Sequence, residues 1–296
     1  NSTPISQLAS ILVEDSSNSS VYDTANNTFN LTPDFNIIQP DGPSDVLIAE
    51  ESYSITWSSS GSGMSEVNLE YATDGGTVWN NVSTTKNVTN NGDYSWTSVN
   101  GTALTNTSFV RVSDPNRAAS NATSSAAFPI RGKLTLTAPV DANENWRTGT
   151  THNVTWTKKG NMTSVNVYYS SNGGSSWTKL NPNPVDCAGG NYSWTVNGTP
   201  SVNAKISVNH TDNLQNVFSN STSIFNVTDL SITVPNAGTE NWKAGATKTI
   251  NWSSTAITDV NLKYSTTGGA PWSNITGANN LPASDANFSW AIPSSI

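Results

Sequence analysis

Over 296 residues the chain carries a net charge of −8, with only 11% charged and 34% apolar residues; Asn, Ser, Thr and Gly make up most of the rest. No run of Lys or Arg could neutralise phosphates, which argues against nucleic acid as a partner, and no apolar run approaches the roughly 20 residues of a transmembrane segment. Such a composition is common in secreted β proteins and rare in helical ones, so the expectation is an all-β chain.

The first 34 residues hold two short apolar clusters, Ile11 with Val13 and Phe29 to Leu31. After them, Ile37-Ile38-Gln39-Pro40 reads as a strand stopped by proline, which cannot donate to a ladder. Ile55 and Trp57 end an alternating strand, and Val67, Leu69 and Tyr71 form another that leads into Asp74-Gly75-Gly76 and Trp79. That pattern is a half-buried strand followed by a tight hairpin turn, with glycines tolerating positive φ. Tyr94-Ser95-Trp96, then Val110 with Val112, then Phe128 complete the series.

The series recurs. Leu136 to Pro139, Glu144-Asn145-Trp146-Arg147-Thr148-Gly149, Val154 with Trp156, Val165-Asn166-Val167-Tyr168-Tyr169, Asn172-Gly173-Gly174, Trp177, Tyr192-Ser193-Trp194, Ile206 with Val208, and Phe225 form a second copy. A third runs through Ile232 to Pro235, Glu240-Asn241-Trp242-Lys243-Ala244-Gly245, Ile250 with Trp252, Val260, Leu262 and Tyr264, Thr267-Gly268-Gly269, Trp272 and Phe288-Ser289-Trp290. The first copy has Leu47 where the others have Trp146 and Trp242. Eleven Trp supply much of the core, each large aromatic burying roughly 150–250 Å². The core set expected from the repeat is Trp57, Trp156 and Trp252; Tyr71, Tyr169 and Tyr264; Trp79, Trp177 and Trp272; and Trp96, Trp194 and Trp290.

After Trp290 the third copy has only Ala291 to Ile296, so its two closing strands are missing there. Matching segments lie at the other end: Asn1-Ser2-Thr3-Pro4 resembles Asn197-Gly198-Thr199-Pro200, Ile11 and Val13 match Ile206 and Val208, and Phe29 to Thr32 matches Phe225 to Thr228. Trp96 to Trp194 is 98 residues, Trp194 to Trp290 is 96, and Trp290 to Trp96 across a join of the two ends is 102. A module lacking two strands would expose unpaired edges. The expected organisation is all-β, with three tandem two-sheet β-sandwich modules, the third split across the chain ends. Residues 1–34 are the closing strands of a split module and complete a neighbouring copy of 229–296; 35–132 form the first module, 133–228 the second, and 229–296 the third, without its last two strands. The missing strands come from a longer tandem polypeptide, from strand exchange between chains, or, least favoured, from closure into a ring.

The chemistry offered is sparse. His152 and His210 lack a recurring acidic partner or nucleophile, and no acidic pair recurs in all copies, so no catalytic residue and no enzyme is expected. Calcium is the one ligand weighed, through the loop carboxylates Asp41 with Asp45, Asp141 with Glu144, and Glu14, Asp15 and Asp23; none has EF-hand spacing, and solvated loops are preferred, leaving no cofactor and no metal ligand. Cys187 is the only cysteine, so no disulfide forms within one chain; it reads as a buried or loop thiol. The chain starts at Asn1, which suits a mature product or a segment of something longer. Trp146 and Trp242, near a glycine turn outside the regular alternation, read as packing at a sandwich end or module junction in preference to sugar-stacking platforms.

Nineteen Asn-x-Ser/Thr sequons are present, where composition alone gives about 11. They are Asn1, Asn18, Asn26, Asn30, Asn81, Asn87, Asn100, Asn106, Asn121, Asn153, Asn161, Asn191, Asn197, Asn209, Asn220, Asn226, Asn251, Asn274 and Asn287. Several recur at the same repeat position, such as Asn30 with Asn226 and Asn191 with Asn287, and attached glycans would shield edges on a surface with few charges.

Pro235, Glu240 to Trp242, Gly245, Ile250, Trp252, Tyr264, Ser265, Gly268, Gly269, Trp272 and Trp290 together resemble the immunoglobulin-like or fibronectin type III-like repeats of large secreted prokaryotic surface proteins. The resemblance implies a sandwich array at the cell exterior and no activity. The function expected is a structural repeat unit of an extracellular filament, tube or sheath. Its partners would be copies of itself, head to tail, and glycans. The alternative is a carbohydrate-binding cell-surface adhesin.

Overall fold

The computed structural model describes residues 5–212 and 216–296. Among these the chain is built from β-strands with no α-helix. It divides into two compact units. The first contains the described residues up to Lys133 together with Lys158–Met162 and the described part of 212–217; the second contains Leu134–Thr157, Thr163–Thr211 and Phe218–Ile296.

In the first unit, β1 (Ser6–Ala9), β2 (Leu12–Asp15), β3 (Asn18–Thr24) and β4 (Phe29–Leu31) precede a sandwich. Its strands are β5 (Asp34–Gln39), β6 (Leu47–Ile48), β7 (Tyr53–Ser60), β8 (Glu66–Ala72), β9 (Asn80–Asn81), β10 (Asn87–Thr89), β11 (Asp93–Trp96), β12 (Thr105–Asp114), β13 (Arg117–Thr123) and β14 (Phe128–Arg131). One sheet runs β5, β7, β11; the other runs β10, β8, β12, β14, β6, with β9 on β8 and β13 on β12. Consecutive strands β7 and β8 sit in different sheets, and the parallel pairing of β6 with β14 closes one edge. This is an immunoglobulin-like arrangement. Alternation creates the core: Ile55 and Trp57 face Val67, Leu69, Val110 and Val112 across the sandwich, all buried.

The last two long segments of this sandwich have a distinctive form. The first half of β12 pairs with β14 (Thr105↔Ile130, Ser108↔Phe128, with an irregularity between). Its second half pairs with β13 (Arg111↔Thr123, Val112↔Ala122, Ser113↔Asn121, then a slip to Asp114↔Arg117). At the change of partner, Ser124 donates its N–H to the Val110 carbonyl at 3.0 Å and its Oγ accepts the Val110 N–H at 3.2 Å. Sequence reading places one closing strand around Phe128. The chain instead uses two; Arg117–Thr123 is polar and shows little apolar alternation, so its sequence does not signal a strand, and Ser120 Oγ ties it to the Pro33 carbonyl at 2.6 Å.

The second unit repeats the plan with β15 (Lys133–Ala138), β16 (Asn145–Arg147), β17 (Thr151–Lys159), β18 (Ser164–Ser170), β19 (Thr178–Lys179), β20 (Val185–Asp186), β21 (Asn191–Thr195), β22 (Ser201–His210), β23 (Phe218–Asn220) and β24 (Phe225–Val234). Strands β15, β17 and β21 form one sheet, while β19, β18, β22 and β24 form the other, with β16 parallel to β24. Here too the hairpin pairs Ser201 with Val227 and Ala204 with Phe225 across an irregularity. Ser221 Oγ accepts the Ile206 N–H at 3.2 Å. Strand β24 then continues past Asp229 into a further sheet with β25 (Thr247–Thr255) and β30 (Asn287–Ala291). Opposite it stand only short pairs: β26 (Asp259–Val260) with β29 (Leu281–Pro282), and β27 (Lys263–Tyr264) with β28 (Ser273–Asn274).

The glycine turns differ from the tight hairpin read from sequence. Gly75, Gly76, Gly173 and Gly174 do have positive φ. Yet β18 and β19 are separated by residues 171–177, and the Asn172 side chain organises that loop by accepting the Ser176 N–H at 2.9 Å. Asp74 does the same for Thr77 and Val78.

Because Ser221 satisfies a fully buried backbone N–H, Ser221→Ala is expected to cost about 1–3 kcal/mol, read as a lower urea midpoint for the second unit. A change within about 0.5 kcal/mol would contradict the role given to the hydroxyl.

Candidate functional site: an open apolar groove and an uncovered hairpin

The equivalent inward residues of the two complete sandwiches are fully covered. Val110, Val112, Phe128 and Ile130 in the first unit, and Ile206, Val208, Phe225 and Val227 in the second, are each at most 1% exposed. They fill the space between the sheets, where each buried side chain contributes about 1.5–3 kcal/mol.

In the second unit, the residues after Asp229 are filled only in part, around Ile250, Trp252, Val260 and Ile275. Trp242, Leu262, Tyr264, Trp272, Trp290 and Ile292 line an open cavity of about 690 Å³ with predominantly apolar walls. One wall is the sheet of β24, β25 and β30, and the other is the edge formed by residues 261–264. Along that edge Leu262 donates its N–H to Ala278 and accepts from Ile275 on one side. Alternation therefore turns the N–H and C=O of Asn261 and Lys263 to the other side, into the groove. Residues 239–243 form no strand, although Glu240-Asn241-Trp242 repeats Glu144-Asn145-Trp146. Glu240 holds the preceding turn by accepting the N–H groups of Asn236 and Ala237 at 2.8 and 2.7 Å. Those backbone donors pull its carboxyl down to about 2.

In the first unit, β1 to β4 form the same kind of hairpin as β12 to β14. Ser6 pairs with Leu31 and Ala9 with Phe29 across an irregularity. Leu12 pairs with Thr24, Val13 with Asp23 and Glu14 with Tyr22, before a slip to Asp15↔Asn18. Ala25 donates to the Ile11 carbonyl at 2.9 Å, where Ser124 donates to Val110. Pair for pair this reproduces the closing hairpin of the complete sandwich, slips included. One detail departs: Ala25 supplies no hydroxyl for the Ile11 N–H. Burial is reversed as well, with Ile11 58%, Val13 69% and Phe29 40% exposed. Leu8, Leu12, Val21 and Tyr22 are also exposed, with Leu12 and Tyr22 on the face opposite to Ile11 and Val13.

Trp57, Trp156, Trp252, Tyr71, Tyr169, Trp96 and Trp194 are buried. Tyr264 and Trp290 are half-buried on the groove wall. Trp79, Trp177 and Trp272 are not in the core, contrary to the sequence reading. In the two complete sandwiches the indole after the glycine turn lies against the sheet's outer side: Trp79 sits under the Arg111 guanidinium at 4.2 Å, and Trp177 lies over Gly174. Trp272 has no strand equivalent to β12 beside it among the described residues and is 59% exposed.

Trp146 is 5% exposed, stacked on His152 at 4.6 Å and packed on Phe225 at 5.0 Å, with its Nε1 donating to Glu144. A sugar cannot stack on it. Trp242 meets Trp290 at 6.3 Å and is half-buried. Of the sequon asparagines, Asn1 lies outside the described residues. Fourteen of the others are exposed, and Asn87, Asn209, Asn226 and Asn251 are half-buried. The loop carboxylates serve turns: Asp45 accepts the Asp41 N–H, Asp141 accepts that of Asn143, and Asp15 that of Ser17. Among the described residues no three His, Cys, Asp or Glu side chains gather into a metal-binding group. Cys187 is buried, and its carbonyl accepts from Trp156 Nε1.

No protein-family model matches the chain, and no curated protein matches it. Among solved structures it is similar to a three-domain fragment of titin, at 11% identity and a TM-score of 0.32 over 88% of this chain and 87% of that one. It is also similar to the three N-terminal domains of the bacteriophage RB49 highly immunogenic outer capsid protein, at 12% identity and a TM-score of 0.26 over 75% and 88%. Four N-terminal immunoglobulin domains of Dscam1 are matched at 9% identity and a TM-score of 0.25, this chain spanning about half (52%) of that structure. These scores carry no argument, and the immunoglobulin-like description rests on the sheet topology above.

Equivalent positions in filled and unfilled settings should respond differently. In the dissociated chain, Ile206→Ala is expected to cost about 2–5 kcal/mol, whereas Ile11→Ala should stay within about 0.5 kcal/mol, both measured by urea unfolding. Equal losses would mean that Ile11 is already packed in a core.

Proposed function

We propose that the chain is a structural repeat unit of an extracellular filament, tube or sheath, growing head to tail. In this reading residues 1–34 of one copy complete residues 229–296 of the next, with 35–132 and 133–228 as intact modules between the two junctions. The observation that carries it is the hairpin of β1 to β4: it has the register of a sandwich's closing strands, its apolar residues are uncovered, and the chain also contains a sandwich-like groove without such strands. A head-to-tail contact of this kind is heterologous and propagates unless its rotation closes. If the segment is one period of a longer tandem polypeptide, the same completion occurs along a single chain, and the denatured mass distinguishes the two cases.

The role is mechanical, with no catalytic residue and no cofactor assigned. Sandwiches with Trp-rich cores act as stiff beads. Junctions resembling the run of β24 through Thr228 and Asp229 leave little slack, because Thr148 bonds both residues and Arg147 donates to the Leu230 carbonyl at 3.2 Å. The exposed sequons suit glycans that cover a surface with few charges. A glycan-binding adhesin, the alternative, would need an open aromatic platform; Trp146 is buried, which leaves Trp242 of the two tryptophans considered for that role.

Ile11 and Val13 can be altered without disturbing a packed core. The full chain carrying Ile11→Asp and Val13→Asp should keep its circular dichroism and melting profile yet form no assemblies by electron microscopy or light scattering, since burying two carboxylates in the groove costs several kcal/mol each. Assembly at normal yield would sink the strand-exchange reading.

A further inference from the structure

Resting on that reading, we infer that the hairpin of a second copy enters the groove in a single register, and that residues 241–243 fold into an edge strand along it as it does so.

The register follows from the two complete sandwiches, which agree. In the first, Leu69 lies opposite Val112 and Tyr71 opposite Val110; in the second, Val167 lies opposite Val208 and Tyr169 opposite Ile206. The groove edge repeats the receiving residues as Leu262 and Tyr264, and the hairpin repeats the entering ones as Val13 and Ile11. Leu262 therefore faces Val13 of the second copy, and Tyr264 faces its Ile11. A slip of one residue would turn Ile11 and Val13 out of the groove and bring Ser10 and the carboxylate of Glu14 into it. Charge supports the same alignment. Residues 5–31 carry Glu14, Asp15 and Asp23 and no Lys or Arg, while Lys263 stands on the receiving edge. In this register Glu14 falls diagonal to Lys263, within reach of a long side chain.

The edge strand follows from β16, which pairs in parallel with β24: Asn145↔Asn226, Trp146↔Val227 and Arg147↔Thr228. Its sequence returns as Asn241-Trp242-Lys243, and its partner's as Asn30-Leu31-Thr32. In the chain alone 241–243 have no ladder because the strand they would join is absent from the groove. With Phe29 of the second copy in the place of Phe225, Trp242 gains the aromatic neighbour that Trp146 has at 5.0 Å. Asn30 can bond Asn241 as Asn226 Nδ2 bonds Asn145 Oδ1 at 2.8 Å. The edge strand closes over the inserted hairpin as a latch, formed only after insertion.

Paired cysteines test both statements in the full chain. Assembly of the unaltered chain is scored first by electron microscopy. Then Asn30→Cys with Asn241→Cys, mildly oxidised, is expected to run as a ladder of covalent multimers on a denaturing non-reducing gel. Thr28→Cys with Asn241→Cys, displaced by about 6–7 Å along the strand, should not. Filaments that give no ladder, or that give it equally with the displaced pair, overturn the register and the latch while leaving head-to-tail assembly standing. A cross-link confined to monomers overturns the second copy as occupant. Failure of the unaltered chain to assemble under any condition removes the functional reading, and this inference with it.

Discussion

A β-sandwich is stable only when the apolar face of each sheet is covered by the other. With about 1.5–3 kcal/mol at stake per inward side chain, the four residues Ile206, Val208, Phe225 and Val227 account for a large share of the margin by which a small domain stays folded. The strands around Ile250, Trp252 and Leu262 have the same demand, and in the isolated chain it is met only in part. Short pairs such as β26 with β29 keep that core recognisable, while Tyr264, Trp272 and Trp290 remain in contact with water. The hairpin of β1 to β4 has the converse problem: its ladder is complete and its apolar face has nothing over it. The proposed head-to-tail completion would meet both deficits at once.

Much of this could be read from the residues alone. Alternation in Val165, Val167 and Tyr169 and in their counterparts marked the strands, and the all-β immunoglobulin-like fold followed. Matching Ile11 and Val13 to Ile206 and Val208 pointed to the hairpin because inward positions are restricted in type. Asn18–Thr24 shows no apolar alternation to mark it, because it is held by backbone ladder bonds to Leu12–Asp15, which any sequence can make.

The tryptophans after the glycine turns show where pattern misleads. Trp79, Trp177 and Trp272 recur at fixed spacing, and recurrence suggested a core. Trp79 and Trp177 lie on the outer side of the sheet, where a glycine lets the indole lie flat and, in the first copy, Arg111 caps it, while Trp272 stands at the open groove. A conserved spacing within a repeat fixes a position in the fold without saying which face that position occupies. The neighbouring cation was the available signal. Trp146 illustrates the reverse: a Trp outside regular alternation turned out to be a keystone between Phe225, Trp194 and His152.

The account turns on whether the groove edge gains a strand when copies meet. Backbone hydrogen exchange of the full chain, followed against protein concentration, reads this at the amides of Asn261 and Lys263, which point into the groove. They should exchange quickly in dilute solution and become as protected as Asn166 and Tyr168 once assemblies form. Assemblies in which Asn261 and Lys263 still exchange as freely as in the dilute chain would contradict it.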